Sequence, residues 1–112
     1  MHIDITPEAL LVQLGYPVNE HTSAQIEKTI ANTRGFDRFS KHLLSLEDIL
    51  AHYHGVIALS NSHDYFKLKC EENESPENIE AFREAAEHWG EKYKVELQKL
   101  ANKPTYYLIG QY

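Results

Sequence analysis

The stretch SPENIEAFREAAEHWGEKYKVELQKLANKP, residues 75–104, carries the strongest periodic signal in the sequence. Its apolar residues recur at steps of three or four, which places them on one side of an α-helix. These residues are Ile79, Phe82, Ala86, Trp89, Tyr93, Leu97 and Leu100. Ser75 can cap the first turn, and Pro76 suits the first helical position because its missing N–H is not needed there. We therefore predict one amphipathic helix over 76–102 that covers a sheet and is about 40 Å long.

Residues 56–71 contain two β-prone segments joined by turn-forming residues. The first segment is a short apolar run, Val-Ile-Ala-Leu-Ser. In the second segment, Phe66, Leu68 and Cys70 alternate with polar side chains, which is typical of a strand with one buried and one exposed side. A β-hairpin is therefore predicted over 56–71. The tyrosine-rich residues 105–111 are β-prone and are predicted to form the final strand.

Residues 1–55 are predicted to be mainly helical. A helix is predicted over about 7–14, because the side chain of Thr6, just before it, can cap the free backbone N–H groups of the first turn. Thr22 or Ser23 is expected to cap a second helix in the same way. Apolar residues at helical spacing continue to the end of this block, so several short helices are expected rather than one long helix.

These elements together predict an α+β fold with a small antiparallel sheet. If residues 2–5, which alternate polar and apolar, form a strand that joins the sheet, the order β-α-β-β-α-β resembles that of ferredoxin-like folds with an enlarged first helical crossover. If they do not, a three-stranded sheet is covered by the long C-terminal helix and the block of short N-terminal helices. Residues 1–112 are expected to form a single domain, because this is the commonest size for one domain.

Negative charge is concentrated in one segment. The chain has a net charge of −6, and residues 71–91 contain eight glutamates but no Lys or Arg besides Arg83. The glutamates are Glu71, Glu72, Glu74, Glu77, Glu80, Glu84, Glu87 and Glu91. Because proteins bind nucleic acids mainly through cations on phosphates, we expect no nucleic-acid partner for this acidic domain. A basic protein surface would be attracted instead.

Three features bear on where the protein resides. The single cysteine, Cys70, has no partner in the chain for a disulfide. The N-terminus lacks the basic start and apolar run of a secretory signal. No apolar run approaches the roughly 20 residues that a membrane-spanning helix needs. We expect a cytoplasmic protein without a membrane partner.

The histidines give the sharpest chemical hypothesis. His42, His52, His54 and His63, with Asp64, lie around the predicted hairpin, and imidazole and carboxylate groups are common metal ligands. Against this, His52 and His54 are two residues apart, whereas helical metal motifs space their ligands by three or four. The alternative function is therefore a small metal-dependent or ligand-binding enzyme with this cluster as its site, and solvated histidines are the ordinary explanation.

The leading hypothesis is a non-enzymatic interaction protein, such as an adaptor, an inhibitor or an immunity-type partner, that needs no cofactor. It would present the glutamates on the polar side of the long helix to a basic protein surface, with exposed tyrosines as anchors. The expected contact residues are Glu77, Glu80, Glu84, Glu87, Glu91, Tyr65 and Tyr107. A homodimer through an exposed strand edge, in which the last strand pairs with its symmetry mate, is a further hypothesis.

Overall fold

A computed structural model describes residues 6–60, 62–71 and 73–112. The described residues form five α-helices: α1 (Pro7–Gln13), α2 (Glu20–Asn32), α3 (Phe36–Phe39), α4 (Leu43–Ala51) and α5 (Pro76–Tyr93), and a 3-10 turn, Ser40–His42, joins α3 to α4. They also form four strands: β1 (Gly55–Leu59), β2 (Phe66–Cys70), β3 (Val95–Lys99) and β4 (Thr105–Gln111). The predicted α+β class is confirmed.

The strands form one antiparallel sheet in the order β1-β2-β4-β3. β1 and β2 form the predicted hairpin, with Ile57 opposite Leu68. β4 lies between β2 and β3, and Leu108 is opposite Phe66 on one side and Leu97 on the other. The final strand is thus confirmed, but it is an interior strand. The predicted pairing of this last strand with its symmetry mate is wrong, because both sides of β4 are already hydrogen-bonded within the sheet. A homodimer through a strand edge, which here belongs to β1 or β3, stays a prediction.

The long helix α5 begins at the predicted proline but ends at Tyr93, so the prediction of helix as far as residue 102 is wrong. Lys94 takes a left-handed conformation with a φ of 59°, and Val95 begins β3. The sequence Val-Glu-Leu-Gln-Lys satisfies a helical and an alternating pattern equally well. Pairing with β4 decides between them, because Leu97 lies opposite Leu108.

β3 also changes the predicted order of elements. After the helical block, the described chain runs β-β-α-β-β, and β3 occupies the fourth position in the sheet. The ferredoxin-like order depended on residues 2–5, which lie outside the described residues. The four-stranded sheet is therefore built from two hairpins joined by α5.

The second helix begins earlier than predicted, because Asn19 caps it rather than Thr22 or Ser23. The Asn19 side chain accepts a hydrogen bond from the Thr22 N–H at 2.9 Å, and the Thr22 hydroxyl accepts one from the Asn19 N–H at 3.1 Å. This reciprocal pair is a capping box, which satisfies two backbone donors at once. Asn is as good a cap as Ser or Thr, and here it lies at the earlier position.

Replacing Asn19 with alanine is expected to lower the free energy of unfolding by about 1 kcal/mol, because the Thr22 N–H at the start of α2 loses its side-chain acceptor. Urea unfolding measures this loss. Asn19→Asp, which keeps a capping oxygen, and Ser23→Ala, at the position first expected to cap, should each change it by less than about 0.5 kcal/mol. Equal losses in all three variants would contradict the capping box.

The helices pack against one face of the sheet and enclose a single core. Phe66, Leu68 and Leu108 contribute from the strands, and Phe82 and Trp89 contribute from α5. Each of these side chains is buried. The apolar side of α5 therefore covers the sheet as predicted, over the part of the segment that is helical.

The opposite side of the sheet, here called the open face, carries the polar side chains of the alternating strands. Lys67 and Lys69 lie there on β2, next to the core-facing Phe66 and Leu68. Tyr107 and Thr105 lie there on β4, opposite these two lysines. Among the described helices, none has both the length and the hydropathy required to cross a membrane.

Candidate functional site

The glutamates of α5 form one continuous row, here called the acidic stripe. It consists of Glu77, Glu80, Glu84, Glu87 and Glu91. Their spacing of three, four, three and four residues keeps them on one side of the helix. All five are exposed, whereas Phe82, Ala86 and Trp89 on the other side of α5 are buried. The structure thus places the five predicted glutamates together, on the outward side of the helix.

One member of the acidic stripe is tied to the sheet. The Tyr106 hydroxyl donates a hydrogen bond to Glu87 Oε2 at 2.8 Å. Burial, followed by this contact with Glu87, raises the pKa of Tyr106, so the phenol stays protonated and remains a donor. Among the described residues, no Lys or Arg nitrogen lies within 4.0 Å of a carboxylate oxygen of the stripe. The charge of the stripe is therefore not neutralised by an ion pair with any described side chain.

A groove with a volume of about 820 Å³ runs between α4 and α5, beside the acidic stripe. Its apolar lining comes from Ile49 of α4, from Tyr53 in the turn after α4, and from Ala81, Ala85 and Tyr93 on α5. Ile49 is 37% exposed although it is a large aliphatic side chain. Glu84 of the stripe also lines the groove, so the charged and apolar surfaces are continuous.

The two predicted tyrosine anchors lie elsewhere. Tyr65 and Tyr107 are on the open face, and their ring centroids are 5.4 Å apart. Because α5 covers the other face of the sheet, these tyrosines and the acidic stripe lie on opposite sides of the molecule. A single flat partner surface would not reach both groups, so the predicted contact set divides into two separate surfaces.

The predicted histidine cluster does not form. His42 stacks on Tyr93 with ring centroids 3.9 Å apart, and burial, then the charges of Lys41 and Lys92, lower its pKa. His63 lies against Tyr107 on the open face, with ring centroids 5.6 Å apart. Within residues 6–60, 62–71 and 73–112, no group of three or more His, Cys, Asp or Glu side chains could hold a metal ion.

The remaining residues of that hypothesis have local structural roles. His52 is exposed and ends α4. His54 has a left-handed φ of 59° that turns the chain into β1, and its Nδ1 lies 2.6 Å from Glu74 Oε1. Asp64 accepts a hydrogen bond from the Asn32 side chain through its backbone oxygen. Among the described residues, these side chains therefore do not form the group of metal ligands on which the alternative hypothesis depends.

Sequence reasoning missed the groove between α4 and α5 and a group of lysines on the open face. Lys67 and Lys69 could have been assigned to one side of their strand, because they alternate with core residues. Their proximity to Lys103 follows from the position of β4 beside β2, which no local pattern reveals. The groove lies between α4 and α5, so it likewise depends on tertiary packing. No protein-family model, curated protein or solved structure matches this chain.

Proposed function

We propose that this chain is a non-enzymatic protein-interaction domain that presents the acidic stripe of α5 to a basic surface of a partner protein. The observation that carries the proposal is the unbroken row of five exposed carboxylates opposite the buried side of the helix. From Glu77 to Glu91 this row extends about 21 Å at the usual helical rise. Five like charges in one row attract a basic surface over several ångströms and orient it before contact.

The groove beside the stripe supplies apolar contact area, which the charges alone do not. Exposed ion pairs are individually weak, typically below about 1 kcal/mol, so a row of glutamates provides steering and specificity more than affinity. Ile49, Tyr53, Ala85 and Tyr93 add apolar and aromatic surface next to Glu84. A partner that places Lys or Arg on the stripe and one apolar side chain in the groove would bury surface as well as pair charges.

Charge reversal of the stripe should weaken binding selectively. Glu80→Lys with Glu84→Lys is expected to slow association with a basic partner by about tenfold at low ionic strength, because these two residues lie in the middle of the row. In about 1 M salt, where the screening length is about 3 Å, the difference should nearly vanish. Affinity capture from lysate identifies the partner, and association rates measured at both salt concentrations provide the test.

A matched control changes the net charge of the chain by the same amount, at positions outside the stripe. Glu27→Lys with Asp37→Lys reverses two exposed carboxylates on α2 and α3. We expect this control to retain the partner and its rate within about twofold. Equal slowing in both double variants, or capture of no protein with a basic surface, would refute the assignment of the acidic stripe as the binding surface.

A further inference from the structure

The open face carries a depression of about 580 Å³, within the size range of small-molecule sites. Three lysines line it: Lys67 and Lys69 from β2 and Lys103 from the β3–β4 turn. Lys67 is opposite Tyr107 in the sheet, and Lys69 is opposite Thr105. Lys67 and Lys69 are two residues apart on β2, so strand alternation places these two cations on the same face, about 7 Å apart along the strand.

Hydroxyl groups accompany these cations. Ser60, Ser62, Thr105 and Tyr107 line the same depression and can donate hydrogen bonds to oxygen atoms of an anion. Glu71 also lines it, so one carboxylate offsets part of the lysine charge. Among the described lining residues, three ammonium groups against one carboxylate leave a local excess of positive charge in a chain whose net charge is −6. Lysines brought together in this way repel one another, and an anion between them relieves that repulsion.

The pKa of Tyr107, which lines this depression, is affected by the same hydroxyls and charges. The nearby hydroxyls of Ser62 and Ser60, and then the charges of Lys67 and Lys103, lower the pKa of Tyr107. The ring of Tyr65 lies 5.4 Å from that of Tyr107, and that of His63 lies 5.6 Å from it. This row of rings offers an aromatic surface beside the positive charge, on which a planar ring can stack.

We propose that the depression on the open face binds a small organic phosphate that carries a planar ring, with Lys67, Lys69 and Lys103 around the phosphate and Tyr107 beside the ring. A compact dianion fits a concave site with its cations in one place. A long polyanion would extend beyond the depression, over the surface of a chain whose net charge is negative, where repulsion opposes it. This site lies on the other side of the sheet from the acidic stripe and is independent of it.

Phenyl phosphate, inorganic phosphate and the oligonucleotide (dT)10 are suitable probes, titrated at low ionic strength into the full chain while its amide NMR signals are followed. We expect phenyl phosphate to shift signals of β2 and β4 and to bind at least about threefold more tightly than inorganic phosphate, because only it has a ring to stack. Lys67→Gln with Lys103→Gln should weaken phenyl phosphate binding by about tenfold or more, through loss of two charged donors.

The control variant, Lys41→Gln with Lys92→Gln, removes two exposed lysines that do not line the depression, and it should bind as the unaltered chain does. The stripe variant Glu80→Lys with Glu84→Lys should also retain phenyl phosphate binding, so failure of one proposal leaves the other intact. Unchanged binding in the Lys67/Lys103 variant, or the absence of phenyl phosphate shifts on β2 and β4, would overturn the proposal. Binding of (dT)10 more tightly than phenyl phosphate at these lysines would replace the small ligand with a nucleic acid.

Discussion

Replacing Trp89 with alanine is expected to lower the free energy of unfolding by about 3–5 kcal/mol. The side chain is 2% exposed and lies between α5 and the helical block. It packs edge-on against Phe39 with ring centroids 6.1 Å apart, and its Nε1–H donates to the His42 backbone oxygen at 3.2 Å. Alanine would leave a cavity that a close-packed core fills only in part, and the His42 oxygen would lose its donor. Urea unfolding of both proteins measures the difference.

Two further variants separate packing from the hydrogen bond. Trp89→Phe keeps an aromatic ring in the core but removes the N–H donor, so we expect a loss of about 1–3 kcal/mol. Val12→Ala, at a side chain that is 66% exposed, should change the free energy of unfolding by less than about 0.5 kcal/mol. A loss below about 1 kcal/mol for Trp89→Ala would mean that Trp89 does not pack between α5 and the helical block as described.

Trp89 also illustrates which part of the fold could be predicted from the sequence. Its spacing from Phe82 and Ala86 fits only a helix, and the alternation of Phe66, Leu68 and Cys70 fits only a strand, so both elements were correctly assigned. Each pattern lies within a short stretch of sequence and fits a single periodicity, so it identifies one type of element. The helical block and the hairpin were assigned for the same reason.

Residues 94–102 were assigned incorrectly because their pattern has two solutions. Leu97 continues the helical spacing from Tyr93, but it also alternates with Val95 as a strand residue does. The choice depends on Leu108, which lies eleven residues further along the chain and is opposite Leu97 in the sheet. Pairing of this kind is tertiary information, and propensity alone does not contain it.

The candidate surfaces also differ in whether local sequence patterns could predict them. The acidic stripe could be predicted because residues three and four apart share one side of any helix. Tyr65 and Tyr107 were expected to act as anchors beside the stripe, but their separation from it depends on which face of the sheet α5 covers. Lys103 joins Lys67 only because β4 pairs with β2, so the lysine depression could not be found from sequence spacing.

Replacing Gly110 with alanine is expected to lower the free energy of unfolding by about 3–5 kcal/mol. Gly110 has a φ of 145°, a conformation that side chains rarely tolerate. An added Cβ would lie 2.6 Å from the backbone nitrogen of Arg34 and 2.9 Å from its backbone oxygen. Neither atom can move aside easily, because Arg34 forms a parallel bridge with Gly110 and its oxygen accepts the Gln111 N–H at 2.6 Å. Urea unfolding measures the loss, and hydrogen exchange of the Gln111 amide should become faster.

Gly15 provides the matched control for the backbone conformation. It also has a positive φ, 87°, but an added Cβ there would meet no atom within 4 Å. Gly15→Ala should therefore lower the free energy of unfolding by only about 1 kcal/mol, the penalty for placing a side chain on a left-handed backbone where it meets no other atom. If Gly110→Ala were no more destabilising than Gly15→Ala, the close pairing of Arg34 with Gly110 would be incorrect. That pairing joins the helical block to the sheet at the end of β4, so its loss should also increase hydrogen exchange in α3, which begins soon after Arg34.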